Sequence, residues 1–189
     1  SRFFEELKSL DRAGADIILS NSFAGSRFQL ERHGLGERVT EINRLATEIS
    51  AQAVRETEHR RRADSGSGGS TKRLFGRPIV AASIGPSTKL LAMGNVTEEE
   101  LFEAFSEQAA ALKAGGADWI LVESMTDLQE AAIAVRAAAE TGLPVVSTMV
   151  YEKMPQGYRT VMGNDPETSV KTVIDAGAKV VGANCGTGI

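Results

Sequence analysis

Ala114-Gly115-Gly116-Ala117-Asp118-Trp119-Ile120-Leu121-Val122-Glu123 reads as a helix end, a glycine stop, an acidic residue, an apolar run and a closing carboxylate. Glycine just after a helix takes up the left-handed capping conformation without steric cost. The apolar run lacks the alternation of a half-solvated strand, which predicts a parallel strand buried on both faces. The same unit occurs twice more. Ala13-Gly14-Ala15-Asp16-Ile17-Ile18-Leu19-Ser20-Asn21 precedes it, and Asp175-Ala176-Gly177-Ala178-Lys179-Val180-Val181-Gly182-Ala183-Asn184 follows it. Each copy ends on polar residues: Asn21, Glu123 and Asn184-Cys185. Repeated helix-to-strand units with polar tips predict an α/β fold, either a (β/α) barrel or a doubly wound sheet.

Working outward, strands are expected over Asp16–Ser20, Ile79–Ser83, Asp118–Glu123 and Val145–Met149, with a closing strand before Cys185. Between them lie helical patterns. Residues Arg2 to Arg12 read as the tail of a helix. Val39, Ile42, Leu45, Ala46 and Ile49 recur at amphipathic spacing in a long helix from about Gly36 to Arg62. Thr97 and Glu100 have capping-box spacing, Asp127 caps the next helix, and Asp165-Pro166-Glu167 opens the last one. The Gly/Ser-rich stretch at about 64–71 is expected to be a flexible loop, and Tyr151 to Asn164 an irregular one.

Composition narrows the function. With 42% hydrophobic and 24% charged residues, the 189-residue chain has ordinary globular composition and room for one domain with a core. A net charge of −4 gives no basic footprint for nucleic acid. No apolar run approaches the ~20 residues of a membrane span, and no signal peptide heads the chain. One cysteine cannot form an internal disulfide, so a reducing, cytoplasmic location is expected.

Candidate functional residues sit at the expected strand ends, where β/α proteins place their chemistry. Cys185 is the only cysteine, followed by Gly186. It reads either as a small buried hydrophobe or as a reactive or metal-binding thiol. Glu123 ends a buried strand, where a carboxylate needs a partner. Asn21 and Asn184 can both donate and accept, which suits orienting a ligand or tying loops together. Ser83, ahead of Gly85-Pro86, shapes a pocket wall. His33 and His59 show no metal-ligand spacing to Cys185 and read as surface residues. Tyr151, Tyr158 and Arg159 read as loop packing or as contacts to a methylated cation.

Taken together, Gly14–Phe23, Ser83-Ile84-Gly85-Pro86, Gly116–Ser124, Pro144–Met149 and Val181–Gly186 resemble the homocysteine S-methyltransferase family, in the order of its second to sixth barrel strands. The resemblance implies a single TIM-type (β/α)8 barrel domain over 1–189, incomplete in this chain, with about strands 2 to 6 present. It implies zinc-dependent transfer of a methyl group to the thiol of homocysteine. Glu123 would then hold the amino group, and Asn21, Ser83 and Asn184 would complete substrate binding. The family's zinc is held by three cysteines. One corresponds to Cys185, catalytic and metal-binding; the other two form an adjacent pair that this sequence does not contain.

The donor is left open among S-methylmethionine, betaine, S-adenosylmethionine and methylcobalamin carried on a partner domain or protein. The expected partners are therefore a small-molecule acceptor and donor, with a homo-oligomer or complementing chain to supply what is missing. As written, the chain is expected to be inactive. Three other readings remain open: a corrinoid-linked methyltransferase or demethylase of the same fold, a non-catalytic partial-barrel subunit or fragment, and an unrelated barrel that binds a phosphorylated substrate through Gly25, Gly85 and Gly186.

Overall fold

The three glycine-punctuated units fold as expected, each glycine at positive φ ahead of a strand: Gly14 at 98°, Gly116 at 94° and Gly177 at 120°. The computed structural model describes residues 2–64 and 77–186. Five strands form one parallel sheet, hydrogen-bonded in the order β1 (Ile17–Leu19), β2 (Ile79–Ile84), β3 (Trp119–Met125), β4 (Val145–Met149) and β7 (Val180–Ala183). The order follows the chain without a reversal. A doubly wound sheet reverses at a switch point, so this is the winding of a barrel wall, and the α/β fold with its parallel sheet is consistent with a TIM-type barrel. The Gly/Ser loop expected at 64–71 lies outside the described residues except for Asp64, the last residue of a helix.

The helices are α1 (Arg2–Arg12), α2 (Arg27–Glu31), α3 (Val39–Asp64), α4 (Glu98–Ala114), α5 (Leu128–Ala139) and α6 (Pro166–Asp175). Their starts follow the sequence signals. Thr97 and Glu100 close a reciprocal capping box on α4, Asp127 accepts from two backbone N–H groups of α5, and Asp165 caps α6 ahead of Pro166. Among the described residues, no helix is long and apolar enough to cross a membrane.

The main core lies between the sheet and helices α4 and α5, around Leu101, Phe105, Leu112, Ile120, Val122 and Ile133. A smaller cluster joins Leu7, Ile18, Val54 and Val80 beneath α1 and α3. Truncating Phe105, which has no exposed surface, to alanine would cost about 3–5 kcal/mol.

Three expectations need correction. The outer strands are buried on one face only. Ile18 packs under the helices, while Ile17 and Leu19 are 44% and 43% exposed, and Val180 is 50% exposed. They are the sheet's two edges, and the helices of the small cluster cover the opposite face of β1. The segment after β4 is not irregular: it forms a hairpin of β5 (Glu152–Met154) and β6 (Gly157–Arg159). Pro155 and Gln156 are its turn residues, and Gly157, which opens β6, has a φ of 100°. Finally, β3 runs past Glu123 to Met125, and its pairing with β4 shifts register between Val122 and Met125.

Candidate functional site

Parallel winding brings the C-terminal ends of β2, β3, β4 and β7 to one side, where side chains meet across strands. Ser83 Oγ, near the end of β2, donates to Glu123 Oε1 at 2.5 Å. Asn184, just beyond β7, spans the next gap. Its Oδ1 accepts from the Ser124 N–H at 3.1 Å and from the Thr148 hydroxyl at 2.8 Å. Its Nδ2 donates to Ser124 Oγ at 2.8 Å and, more weakly, to Glu123 Oε2 at 3.4 Å. Cys185 Sγ, exposed, lies 3.5 Å from Ser124 Oγ and 3.7 Å from Asn184 Nδ2. Because Ser124 Oγ accepts from Asn184, its own proton is free to point at the sulfur.

The backbone is bent to make this cluster. Ser124 sits at a φ of 59° and Cys185 at 55°, two of the three non-glycine residues in the left-handed region among the described residues. Each such residue costs on the order of 1–2 kcal/mol, and such strain gathers at functional sites. Gly186 follows at 73°, where a Cβ would stand 2.4 Å from the Tyr151 carbonyl oxygen. No larger residue fits after the cysteine without moving the backbone at Tyr151, just past β4.

Of the sequence-derived candidates, Ser83, Glu123, Asn184 and Cys185 come together. Asn21 is exposed and does not join this network; its neighbours make the tie instead. Ser20 and Ser22 hydroxyls lie 2.6 Å apart, and Ser22 donates to the Ser83 carbonyl at 2.7 Å. Ser124 and Thr148 were missed. Thr148 lies two residues beyond Val146, so strand alternation puts it on the Val146 face, but only the register sets it against Asn184. Tyr151 packs on the main core, while Tyr158 and Arg159 lie on the hairpin, with Arg159 Nη1 donating to the Tyr158 carbonyl. His33 and His59 are both exposed, at the end of α2 and in α3.

Among the carboxyls perturbed outside the cluster are Glu130 and Asp118. Burial raises the Glu130 carboxyl above its ordinary value, against the lowering effect of hydrogen bonds from Ser87, whose N–H donates to it at 2.7 Å. That bond fixes the loop after β2 from behind. At the opposite end of β3, burial would raise Asp118. Bonds from Arg77 and the Val80 N–H, with the charge of Arg77, outweigh it and hold the carboxyl below its ordinary value. Among the described residues, no group of three or more His, Cys, Asp or Glu is placed to hold a metal ion. Zinc takes three or four protein ligands, so these residues do not by themselves fit a zinc site.

Residues 9–189 match a family model described as homocysteine S-methyltransferase. A methionine synthase of Mycobacterium tuberculosis (strain ATCC 25618 / H37Rv) is 29% identical over 182 residues, covering 93% of this chain and 14% of that protein. One from Mycobacterium leprae (strain TN) is 28% identical over 196 residues, with 99% and 14% covered. The chain thus spans 14% of the length of these curated relatives.

The apo crystal structure of the homocysteine methyltransferase MmuM from Escherichia coli superposes with a TM-score of 0.65 at 17% identity, covering 96% of this chain and 60% of that one. Its metallated form gives 0.58 at 15% identity, with 96% and 79% covered. At these identities the likeness is one of fold. The family match runs from α1 through the strand-end cluster, and the chain belongs to the homocysteine S-methyltransferase family.

Proposed function

We propose that the strand-end cluster binds the acceptor of a methyl transfer, the amino-acid thiol homocysteine. The observation that carries this is the convergence of Ser83, Glu123, Asn184 and Cys185 from three strands onto one hydrogen-bonded group. Glu123 would pair with the substrate ammonium, its carboxylate aimed by Ser83 on one oxygen and Asn184 on the other. Asn21, exposed just beyond β1, would meet the rest of the amino acid. The acceptor sulfur would then lie toward Cys185. In the transfer, the thiol loses its proton and the sulfur lone pair forms the new S–CH3 bond. The donor's bond to that methyl breaks, its electron pair staying with the donor. The contribution expected of these residues is orientation of the acceptor for in-line attack.

A free thiol titrates near 8.5, and the family's zinc would supply a thiolate at neutral pH. Cys185 offers one sulfur to such an ion, and the remaining ligands would have to come from outside the described residues. The donors weighed are S-methylmethionine, betaine, S-adenosylmethionine and methylcobalamin carried on a partner domain or protein. The lone thiol suits a reducing, cytoplasmic setting.

Titration calorimetry with L-homocysteine tests the acceptor reading. Saturable binding that is lost in Glu123→Gln is expected. Unchanged binding in that variant would remove the cluster from the acceptor site.

A second reading has its own observation. Ile17, Leu19 and Val180 leave apolar surface exposed on both edge strands, and open parallel edges invite pairing. A non-catalytic partial barrel, completed by another chain or a second copy, would cover them. Light scattering on the purified chain separates the two, since a stable complex that binds no homocysteine supports the second.

A further inference from the structure

Beneath the loop after β1 lies a buried amide pair that acceptor binding does not use. Asn43 on α3 and Gln108 on α4 both have 0% exposure. Gln108 Nε2 donates to the Ser22 carbonyl at 2.9 Å and to Asn43 Oδ1 at 3.2 Å. Asn43 Nδ2 donates to the Gly25 and Val39 carbonyls, both at 2.8 Å. The fit is tight: a Cβ on Gly25 would stand 2.1 Å from Asn43 Oδ1 and 2.8 Å from Gln108 Nε2.

The loop held from below is also tied sideways to β2. The Ser22 hydroxyl donates to the Ser83 carbonyl at 2.7 Å, and the Ser83 N–H donates to Ser20 Oγ at 3.3 Å. The Gly85 N–H donates to the Phe23 carbonyl at 2.9 Å. The Ser83 side chain is the one that aims Glu123. A continuous path therefore runs from Gln108 through Ser22 and Ser83 to the Glu123 carboxylate.

Gln108 Oε1 is buried with no hydrogen-bond partner among the described residues. An apolar side chain at this one position would avoid that cost but leave Asn43 Oδ1 without the Gln108 donor, so the two amides act as a pair.

We propose that Asn43 and Gln108 are positioning residues for the acceptor site. They set the height of the Ser22–Gly25 loop and, through Ser22 and Ser83, the direction of Glu123. The ligand in this inference rests on the acceptor reading above; the two helix positions and their role go beyond it.

The test compares Gln108→Met, which keeps length and removes both donors, with Val173→Ala, a core truncation on α6 remote from the loop. Three quantities are read: thermal midpoint, L-homocysteine affinity by calorimetry, and amide exchange at Gly85. Gln108→Met is expected to weaken homocysteine binding about tenfold, the equivalent of about one hydrogen bond, and to speed exchange at Gly85. Val173→Ala is expected to lower the midpoint while leaving affinity at the wild-type value.

Equal affinities in Gln108→Met and wild type would overturn the proposal, as would an equal loss in Val173→Ala. Should Gln108→Met not fold, Ser22→Ala cuts the same path at the loop, and unchanged affinity there overturns it equally. If the wild-type chain binds no L-homocysteine, the acceptor reading fails and Gly85 decides the clamp. Faster exchange in Gln108→Met than in Val173→Ala then supports it, and equal rates overturn it.

Discussion

Ser83 and Glu123, forty positions apart in sequence, meet at the ends of adjacent strands through a 2.5 Å bond from hydroxyl to carboxylate. A hydrogen bond to a charged group contributes about 1.5–3 kcal/mol and fixes direction as well as energy. Ser83→Ala should therefore weaken L-homocysteine binding about tenfold with little change in fold, and Glu123→Gln should weaken it further. Calorimetry on the two variants checks the ranking. A larger loss in Ser83→Ala than in Glu123→Gln would show that Ser83, not Glu123, is the direct contact.

Ser124 combines a left-handed backbone with a hydroxyl that faces Asn184 and Cys185. Alanine and glycine both remove the hydroxyl, but only glycine accepts this φ without strain. Ser124→Gly should be more stable than Ser124→Ala by about 1 kcal/mol. Urea unfolding measures the gap, and equal midpoints would mean that the register shift in β3 relaxes in both.

Cys185 is exposed and is the only thiol in the chain. It should react with a thiol reagent in the native state at close to the rate of the urea-unfolded chain. Zinc content by elemental analysis complements this. The purified chain should hold well under one zinc per molecule, because tight sites take about four ligands. A full complement that disappears in Cys185→Ala would instead mean that a second copy of the chain completes the site.

Glu130 gives a pH dependence with a definite sign. Burial raises its carboxyl in the folded chain, partly offset by Ser87. The folded state thus binds the proton more tightly than the unfolded one. Its contribution to stability is full below the unfolded carboxylate value and is lost as pH rises through the raised folded value. Glu130→Gln keeps an acceptor for the Ser87 N–H and should flatten stability over that window, gaining most at neutral pH. Glu130→Ala leaves that buried N–H unpaired and should lose about 1–3 kcal/mol. Denaturation across pH 4–8 distinguishes the two. A Gln variant with the wild-type slope would clear Glu130 of the effect.

Local chemistry settled much of this molecule in the sequence itself. The glycine stops before each strand, the apolar runs, the Thr97 capping box and the Asp-capped helices depend on neighbours a few residues away. Sequence spacing shows such neighbours directly. The strand-end residues Ser83, Glu123, Asn184 and Cys185 were legible for the same reason, as polar groups terminating apolar runs.

What the tertiary structure alone decided is which of those groups touch. A sequential strand order chose the barrel wall over the doubly wound sheet. Parallel register set Thr148 and Ser124 against Asn184, and put Ile17, Leu19 and Val180 on open edges rather than in a core. The buried pairing of Asn43 with Gln108, sixty-five positions apart, had no sequence signal at all. Each amide is unremarkable on its own helix, and only the packing of α3 against α4 beneath the loop makes them one device.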